Sequence, residues 1–305
     1  MTMPGPQLHS LSQLHLLVTG ECNYECDHCF VWGCPSQGNT MTAETIEHIL
    51  NQAEDLGSIE WIYFEGGEPF LYYPLLLRGV QEAKTRGFKV GIVTNAYWAD
   101  NVTQALQKLQ PFCSLVDDLS ISDDAYHGRK QGPRQTIFAR QAATQLGIPV
   151  DFISISGPDK TASQDSYPQP SSDDSTVVFR GRAADKLASC VAPKPWHQFT
   201  KCPWEDLRRP QRVHVDSLGN MHICQGISMG NLLERSLVEI MQDYAPDSHP
   251  VIGPLLAGGP AELIEHYGLE HDNCYADACH LCYITRQNLR PSFPDVLTPD
   301  QMYGS

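Results

Sequence analysis

Three cysteines lie close together in the segment Cys22-Asn-Tyr-Glu-Cys26-Asp-His-Cys29. Thiolates spaced in this way within one loop can converge on a single metal centre. A [4Fe–4S] cluster that is held by only three cysteines keeps one iron open for a small chelating ligand. Zinc usually takes four protein ligands, and it is the alternative interpretation, with His28 as the fourth ligand. The spacing favours the cluster and leaves zinc open.

A second set of cysteines is spread over the last third of the chain: Cys202, Cys224, Cys279 and Cys282. Gly219 stands five residues before the second of them, within a predicted hairpin, and the closing CxxC motif begins a predicted helix. Four thiolates suit either a structural zinc ion or an iron–sulfur cluster, and their spacing hardly separates the two.

Composition and charge limit the classes of function. With 305 residues, 41% of them hydrophobic, the chain can form one large core or a core and a smaller module. A formal net charge of −15 and the lack of a Lys/Arg run argue against nucleic acid as a partner. No apolar stretch approaches the roughly 20 residues of a membrane span, and no signal peptide is recognisable. We therefore expect a cytoplasmic protein without a membrane partner, whose clustered cysteines are reduced and bind metal.

The first half of the chain alternates between strand-like and helix-like segments. Apolar runs predict the strands, and amphipathic stretches that often end at glycine predict the helices between them. The predicted strands are 14–20, 59–67, 88–95, 114–122 and 148–156. This repeat indicates a parallel sheet with helical crossovers, and an open sheet or a (β/α) barrel fits it equally well. In either case a ligand is expected at the carboxyl ends of the strands.

The pattern changes after the fifth strand. Residues 157–175 are rich in Pro, Ser and Asp and predict a loop that is a candidate lid over the site, while 176–189 predicts a last short strand and helix. Residues 192–196 form a Pro-rich connector. We therefore predict two domains, 1–191 and 192–305.

Two motifs make the first domain resemble the radical S-adenosylmethionine (SAM) superfamily. The three-cysteine motif directly follows the first predicted strand, and Glu65-Gly66-Gly67-Glu68-Pro69 ends the second. The resemblance implies that the cysteines hold a [4Fe–4S] cluster whose open iron chelates SAM, and that Gly66, Gly67 and Glu68 receive the SAM amino group. Glycine lets the main chain approach a ligand closely, and a carboxylate accepts hydrogen bonds from an ammonium. It also implies an α/β fold with a partial (β/α)6 barrel.

Other strand ends match the family in order. Asn95 ends the third predicted strand and Ser122 the fourth, at positions where family members contact SAM. Arg180 resembles a late-strand residue near the adenosine. The resemblance therefore implies that Asn95, Ser122 and Arg180 bind the cofactor.

The second cysteine set resembles the C-terminal SPASM and twitch modules of the same superfamily. In these modules a cysteine, a Gly-x4-Cys hairpin and a later CxxC motif hold an auxiliary cluster. The resemblance implies a small α+β twitch-like module with one auxiliary [4Fe–4S] cluster on Cys202, Cys224, Cys279 and Cys282. Cys274 is a further ligand, a thiol that donates a hydrogen atom to the substrate, or a bystander.

The resemblance implies an enzyme that reductively cleaves SAM to a 5′-deoxyadenosyl radical, which abstracts a hydrogen atom from the substrate. The expected reaction is an oxidation or modification of a peptide or small molecule, with an electron donor such as flavodoxin or ferredoxin. The alternative is a zinc-binding structural or regulatory protein on the same scaffold, without turnover. Measuring bound iron against bound zinc separates the two.

Overall fold

The centre of the molecule is an eight-stranded sheet. The computed structural model describes residues 11–124, 126–127, 134–157 and 175–304. In chain order, the strands are β1 (Gln13–Thr19), β2 (Trp61–Gly66), β3 (Lys89–Thr94), β4 (Asp118–Ser122), β5 (Val150–Ile153), β6 (Ile155–Ser156), β7 (Ser175–Thr176), β8 (Lys194–Pro195), β9 (Arg212–Val215), β10 (Asn220–Cys224), β11 (Ile227–Asn231) and β12 (Cys274–Tyr275).

Helices connect and cover these strands. They are α1 (Ala43–Leu56), α2 (Tyr73–Thr85), α3 (Val102–Leu109), α4 (Arg134–Gln145), α5 (Arg182–Lys186), α6 (Leu237–Asp243), α7 (Ile252–Tyr267) and α8 (Ala278–Leu289). Helix α1 shows why the boundaries fall where they do. The Oγ1 atom of Thr42 accepts a hydrogen bond from the Thr45 backbone N–H, and Gly57 ends the helix in the left-handed conformation.

The sheet order is β11-β10-β9-β1-β2-β3-β4-β5. Strands β1 to β5 pair in parallel, as the alternation of strands and helices predicts. Strand β9 pairs in parallel with β1, and β10 and β11 continue from it as antiparallel strands. The first arm of the predicted hairpin is therefore the sixth parallel strand of the sheet.

The core lies between the sheet and the helices on its outer face. Leu14 and Leu16 of β1 are fully buried, as are Ile49 and Leu50 of α1 and Leu76 of α2. Burial of each such aliphatic side chain contributes roughly 1.5–3 kcal/mol. Because side chains of a strand alternate between faces, the residues between these leucines point to the opposite face of the sheet.

The structure changes one sequence prediction. The predicted last strand within 176–189 is reduced to β7, which pairs with β6 in a separate two-stranded sheet, so the sixth parallel strand comes from β9 instead. Helix α6 begins at Leu237, where Ser236 and Glu239 form a capping box that fixes its start. The predicted lid over 157–175 lies almost entirely outside the described residues.

Helix α7 is interrupted at Gly258 and Gly259, where both residues leave helical geometry. The boundary between the two predicted domains stays a prediction, and one continuous sheet joins β1 of the first to β9 of the second. Among the described residues, no helix is long and apolar enough to cross a membrane.

Candidate active site

A cavity of about 610 Å³ lies at the carboxyl ends of the parallel strands and extends along the inner face of the sheet. The loop after β1 forms one wall, and the ends of β2, β3 and β4 form others. The predicted site residues that line it are Cys22, Cys26, Cys29, Gly66, Gly67, Asn95, Ser122 and Arg180. The structure thus brings two sequence motifs, the ends of β3 and β4, and Arg180 to one cavity.

The three-cysteine loop is held by backbone and side-chain contacts. The backbone N–H of Tyr24 donates to Cys22 Sγ at 3.4 Å, and that of Gly33 donates to Cys29 Sγ at 3.2 Å. Arg182, which is buried, donates to the carbonyl oxygens of Cys26 at 2.8 Å and Gly33 at 3.0 Å. The loop is therefore fixed from both sides.

Burial raises the pKa of the Cys22 thiol to about 12, and the charges of Glu68 and Cys29 add to the rise. Burial likewise raises the pKa of Cys26, with the charges of Cys29 and Cys22 next in size. Three thiolates that repel one another in a buried site need cations beside them to ionise. Iron supplies such cations, so this donor set fits a cysteine-ligated cluster.

Gly67 allows the cysteine loop to approach the end of β2. A Cβ atom at Gly67 would lie 2.0 Å from the carbonyl oxygen of Glu21, closer than any side chain tolerates. The backbone N–H of Gly67 donates to Thr19 at 2.7 Å, and that of Glu68 donates to Glu21 at 2.8 Å. Only glycine lets these two backbones meet in this way.

Glu68 is fully buried and lies outside the residues that line the cavity. Its Oε1 accepts hydrogen bonds from the Phe70 backbone N–H at 3.0 Å and from Thr94 Oγ1 at 2.8 Å, and its Oε2 accepts one from the Asn95 backbone N–H at 2.7 Å. Burial outweighs these bonds and raises the pKa of Glu68 to about 7. In this structure the carboxylate ties the end of β2 to the end of β3.

Asn95 and Arg180 each have neighbours that the sequence did not suggest. The Asn95 side-chain amide donates to Asn23 Oδ1 at 2.9 Å and lies 3.7 Å from Cys22 Sγ. Arg180 lines the cavity, but its Nη1 also donates to Cys224 Sγ of the second cysteine set at 3.3 Å. Arg180 therefore stands between the two cysteine sites.

Sequence reasoning missed six polar side chains along the inner face of the sheet: Gln13, His15, Tyr63, Asp118, Arg212 and His214. A usable signal was present, because polar residues alternate with apolar ones in these strands. His15 stands between Leu14 and Leu16, for example. Such alternation indicates a strand with a polar face, here the wall of a cavity.

A second, small cavity of about 20 Å³ is lined by all four residues of the second cysteine set, Cys202, Cys224, Cys279 and Cys282. Arg180 and Arg286 also line it. Burial raises the pKa of Cys282 to about 11, while the nearby Arg286 charge lowers it. Asp277 caps the start of α8 by accepting a hydrogen bond from the His280 N–H at 2.7 Å, which places the CxxC motif in the first turn.

Cys274 is exposed on β12 and lines neither of these cavities. A thiol in this place cannot hand a hydrogen atom to a substrate inside the larger cavity. The structure therefore does not bring Cys274 to the predicted site.

The distances between the cysteine sulfur atoms can be compared with those expected at a zinc site. In the part of the chain that the structure describes, the groups of three metal-binding atoms within 4.8 Å of one another are His15 with Glu65 and His214, and His28 with Asp124 and His127. Neither includes a cysteine. A tetrahedral zinc site with Zn–S near 2.3 Å would hold its sulfurs about 3.8 Å apart. His28, the candidate fourth zinc ligand, faces Asp124 instead.

A parallel α/β sheet has three clustered cysteines, two of them buried, and a glycine-lined strand end at one cavity. These features define a class of protein that can hold a metal cluster beside a small ligand. Comparison with known proteins gives the family. Residues 16–159 match the Radical SAM superfamily. Residues 16–159, somewhat under half of the chain, therefore belong to the radical SAM superfamily, whose members are enzymes that use SAM and a [4Fe–4S] cluster.

Relatives with different activities match part of the chain. The putative peptide biosynthesis protein YydG of Bacillus subtilis is 30% identical over 111 residues, which is 36% of this chain and 35% of YydG. The S-adenosylmethionine-dependent nucleotide dehydratase of Selenomonas ruminantium is 34% identical over 115 residues, 37% of this chain and 39% of that protein. The chain thus matches well under half the length of either relative.

Among solved structures, BtrN in complex with AdoMet and 2-DOIA is similar over 76% of this chain and 82% of BtrN, with 18% identity and a TM-score of 0.49.

Proposed function

We propose that this chain is a radical SAM enzyme that abstracts a hydrogen atom from a peptide or small molecule to oxidise or modify it. Cys22, Cys26 and Cys29 would hold the SAM-binding [4Fe–4S] cluster. The second cysteine set would hold one auxiliary [4Fe–4S] cluster. An external electron donor of the flavodoxin or ferredoxin type would reduce the protein.

One observation carries the proposal. The three cysteines, the Gly66-Gly67 strand end and Asn95 line the same cavity, although they come from three different parts of the sequence. When bound, the cluster would supply the electron that cleaves SAM to a 5′-deoxyadenosyl radical. The chain's own part is to hold the ligands, orient SAM and keep water out.

The roles of the individual residues follow from their positions. The glycine-lined end of β2 would let backbone groups reach the SAM amino group, since no Cβ intervenes. Asn95 and Ser122, at the ends of β3 and β4, offer hydrogen bonds to a polar ligand in the cavity. Glu68 would act behind this wall by fixing the backbone of Asn95.

An auxiliary iron–sulfur cluster suits the second cysteine set better than zinc. The four cysteines line one cavity. In the part of the chain that the structure describes, however, no three of their sulfur atoms lie within 4.8 Å of one another. Such a spread exceeds the separation at a single zinc ion and suits a larger cluster. The guanidinium of Arg180, which lies 3.3 Å from Cys224 Sγ, also complements an anionic, thiolate-ligated group.

The charge of the larger cavity favours a peptide or a small molecule over a nucleoside triphosphate. The described residues that line it include two arginines, Arg180 and Arg212. A carboxylate oxygen of Glu205 lies 3.3 Å from the Arg180 guanidinium, and another lies 3.9 Å from that of Arg212. The lining also contains the carboxylates of Glu65, Asp118 and Asp124. Recognition of a triphosphate calls for cations that are free to pair with it. This supports the activity type that YydG's name indicates over that of the nucleotide dehydratase.

Anaerobic reconstitution tests the proposal. The reconstituted chain is expected to bind about eight irons and eight sulfides, as two [4Fe–4S] clusters require. With SAM and dithionite it should release 5′-deoxyadenosine and methionine. Zinc near two per chain, with no 5′-deoxyadenosine, would establish the structural or regulatory alternative instead.

Cysteine variants assign the clusters. Cys26→Ala should lose about half of the iron and all of the 5′-deoxyadenosine, whereas Cys282→Ala should lose about half of the iron through the auxiliary site. Cys113→Ala is the matched control, because Cys113 lines neither cavity. Its iron content and SAM cleavage should equal those of the unmodified chain.

A further inference from the structure

Three side chains form a compact group on the inner face of the sheet, and none of them is a cysteine. Nδ1 of His15 on β1 lies 2.8 Å from Oε1 of Glu65 on β2. Nε2 of His214 on β9 lies 3.3 Å from the same oxygen. All three atoms are within 4.8 Å of one another, and all three residues line the larger cavity.

We propose that His15, Glu65 and His214 bind a divalent metal ion at the wall of the substrate cavity. Two imidazoles and one carboxylate form the donor set of metal centres that keep coordination positions open for a substrate or water. Here those open positions would face the cavity.

The register of the sheet, rather than the choice of rotamer, brings the three ligands together. His15 and His214 are paired residues of the parallel strands β1 and β9. On the other side His15 pairs with Tyr63 of β2, and Glu65 follows two residues later on the same face. The strand pairing itself therefore places these three side chains next to one another.

Neighbouring groups hold the His15 ring in a ligating orientation. The ring stacks on Tyr63 with centroids 4.5 Å apart and an interplanar angle of 12°. Its Nε2 lies 3.3 Å from the amide oxygen of Gln13. If Nδ1 binds the metal, Nε2–H can donate to Gln13, which is the outer hydrogen bond that fixes most histidine ligands.

Tyr63 has support of its own. A Cβ atom at Gly91 would lie 2.2 Å from the Tyr63 ring, so glycine at this position lets the ring lie flat against β3. The Tyr63 hydroxyl donates to Asp118 Oδ2 at 3.0 Å. The ligands therefore rest on a second layer of fixed side chains.

Metal binding would replace the contacts that Glu65 now makes with the two rings, because an ionised carboxylate and neutral imidazoles are the forms that ligate metals.

The bound metal would anchor a carbonyl or carboxylate oxygen of the substrate, and this role rests on the proposed function. Binding of the metal itself does not depend on the proposed function. Experiments can therefore refute the metal site and the proposed function separately.

Mn²⁺ binding tests the proposal on the reconstituted full-length chain. Mn²⁺ prefers oxygen and nitrogen ligands to thiolates, so loss of its free-ion EPR signal reports this site rather than the cysteines. About one Mn²⁺ per chain is expected. His15→Gln and His214→Gln should each weaken binding at least about tenfold.

His127→Gln is the matched control, because it removes a histidine from the other three-residue group, His28, Asp124 and His127. Mn²⁺ binding should be unchanged in it. No bound Mn²⁺, equal binding by all variants, or loss confined to the control would overturn the proposal.

Release of 5′-deoxyadenosine is measured on the same samples without Mn²⁺, and it also shows that each variant is folded. A chain that cleaves SAM but binds no Mn²⁺ refutes only the metal site. A chain that binds Mn²⁺ but cleaves no SAM refutes only the proposed function.

Discussion

Arg180 is the residue that the two cavities share. Its guanidinium is 3.3 Å from Cys224 Sγ and 3.3 Å from Glu205, and its Cζ atom lies 5.5 Å from the ring centroid of Phe30. Because only 15% of its side chain is exposed, its charge acts on neighbouring thiolates with reduced screening by solvent. Arg180 is therefore a natural control point for the electrostatics of the second cysteine set.

Arg180→Gln should lower the reduction potential of the proposed auxiliary cluster by roughly tens of millivolts, because reduction adds an electron and the variant removes a nearby positive charge. An EPR-monitored redox titration measures this. Arg212→Gln removes a half-exposed guanidinium that pairs with the same Glu205 at 3.9 Å but lies outside the second cavity. A shift of equal size in both variants would contradict a specific role for Arg180.

Glu68 gives the stability of the chain a pH dependence. Its folded-state pKa of about 7 lies above the ordinary 4.5 of the unfolded chain, because burial disfavours the charge. Between these values the folded chain binds more protons than the unfolded chain, so this contribution to the free energy of unfolding falls as pH rises from about 4.5 to 7.

Glu68→Gln should remove that contribution and flatten the pH profile. The side-chain amide of the variant would face the backbone N–H groups of Phe70 and Asn95, which are also donors. The resulting unsatisfied N–H should also destabilise the fold by about 1–3 kcal/mol. Urea unfolding without SAM, at a series of pH values, measures both effects. Parallel profiles for the variant and the unmodified chain would exclude the titration of Glu68.

At the scale of elements, the end of β2 and the cysteine loop depend on each other. The close backbone approach at Gly67 places Cys22 beside the end of β3, where the Asn95 amide lies 3.7 Å from its sulfur. A side chain at Gly67 would push the loop away from the sheet.

Gly67→Ala should therefore reduce iron incorporation at the three-cysteine site and abolish SAM cleavage, while leaving the auxiliary site loaded. Gly38→Ala is the matched control in the loop that leads to α1, because a Cβ atom there has no neighbour within 4 Å. Iron analysis and the 5′-deoxyadenosine assay compare the two. Normal cluster loading in Gly67→Ala would show that the loop can retreat without cost.

At the scale of the whole molecule, the second half of the chain supports the first. β9 covers one side of β1, with Val213 and Val215 fully buried. The side-chain amide of Gln301 donates to Val31 at 3.0 Å, and Trp32 donates to the Tyr283 hydroxyl at 3.0 Å. The cysteine loop is thus packed against the C-terminal part.

A fragment of residues 1–191 should consequently fail to fold cooperatively. It would expose β1 as an open edge strand and lose the contacts of its cysteine loop, and exposed edges promote aggregation. Size-exclusion chromatography and urea unfolding of the fragment and the full chain measure this. A monomeric fragment with a sharp transition would support 1–191 as an independent domain.

The sequence by itself determined the local features. Apolar periodicity located β1 to β5 and the helices between them, and the spacing of cysteines and glycines predicted the two cysteine sites and the strand end beside the first. These signals are readable because each depends on neighbours in the chain: strand alternation, helix caps, and glycine where a turn or close approach requires it.

Only the tertiary structure decided which distant segments meet. The pairing of β9 with β1 was not readable, because strand order depends on packing rather than on periodicity. That pairing places His214 beside His15 and Glu65. The same long-range packing buries Glu68 behind the cavity, brings Arg180 to Cys224 and leaves Cys274 exposed, since burial and charge neighbours arise only once the elements are packed together.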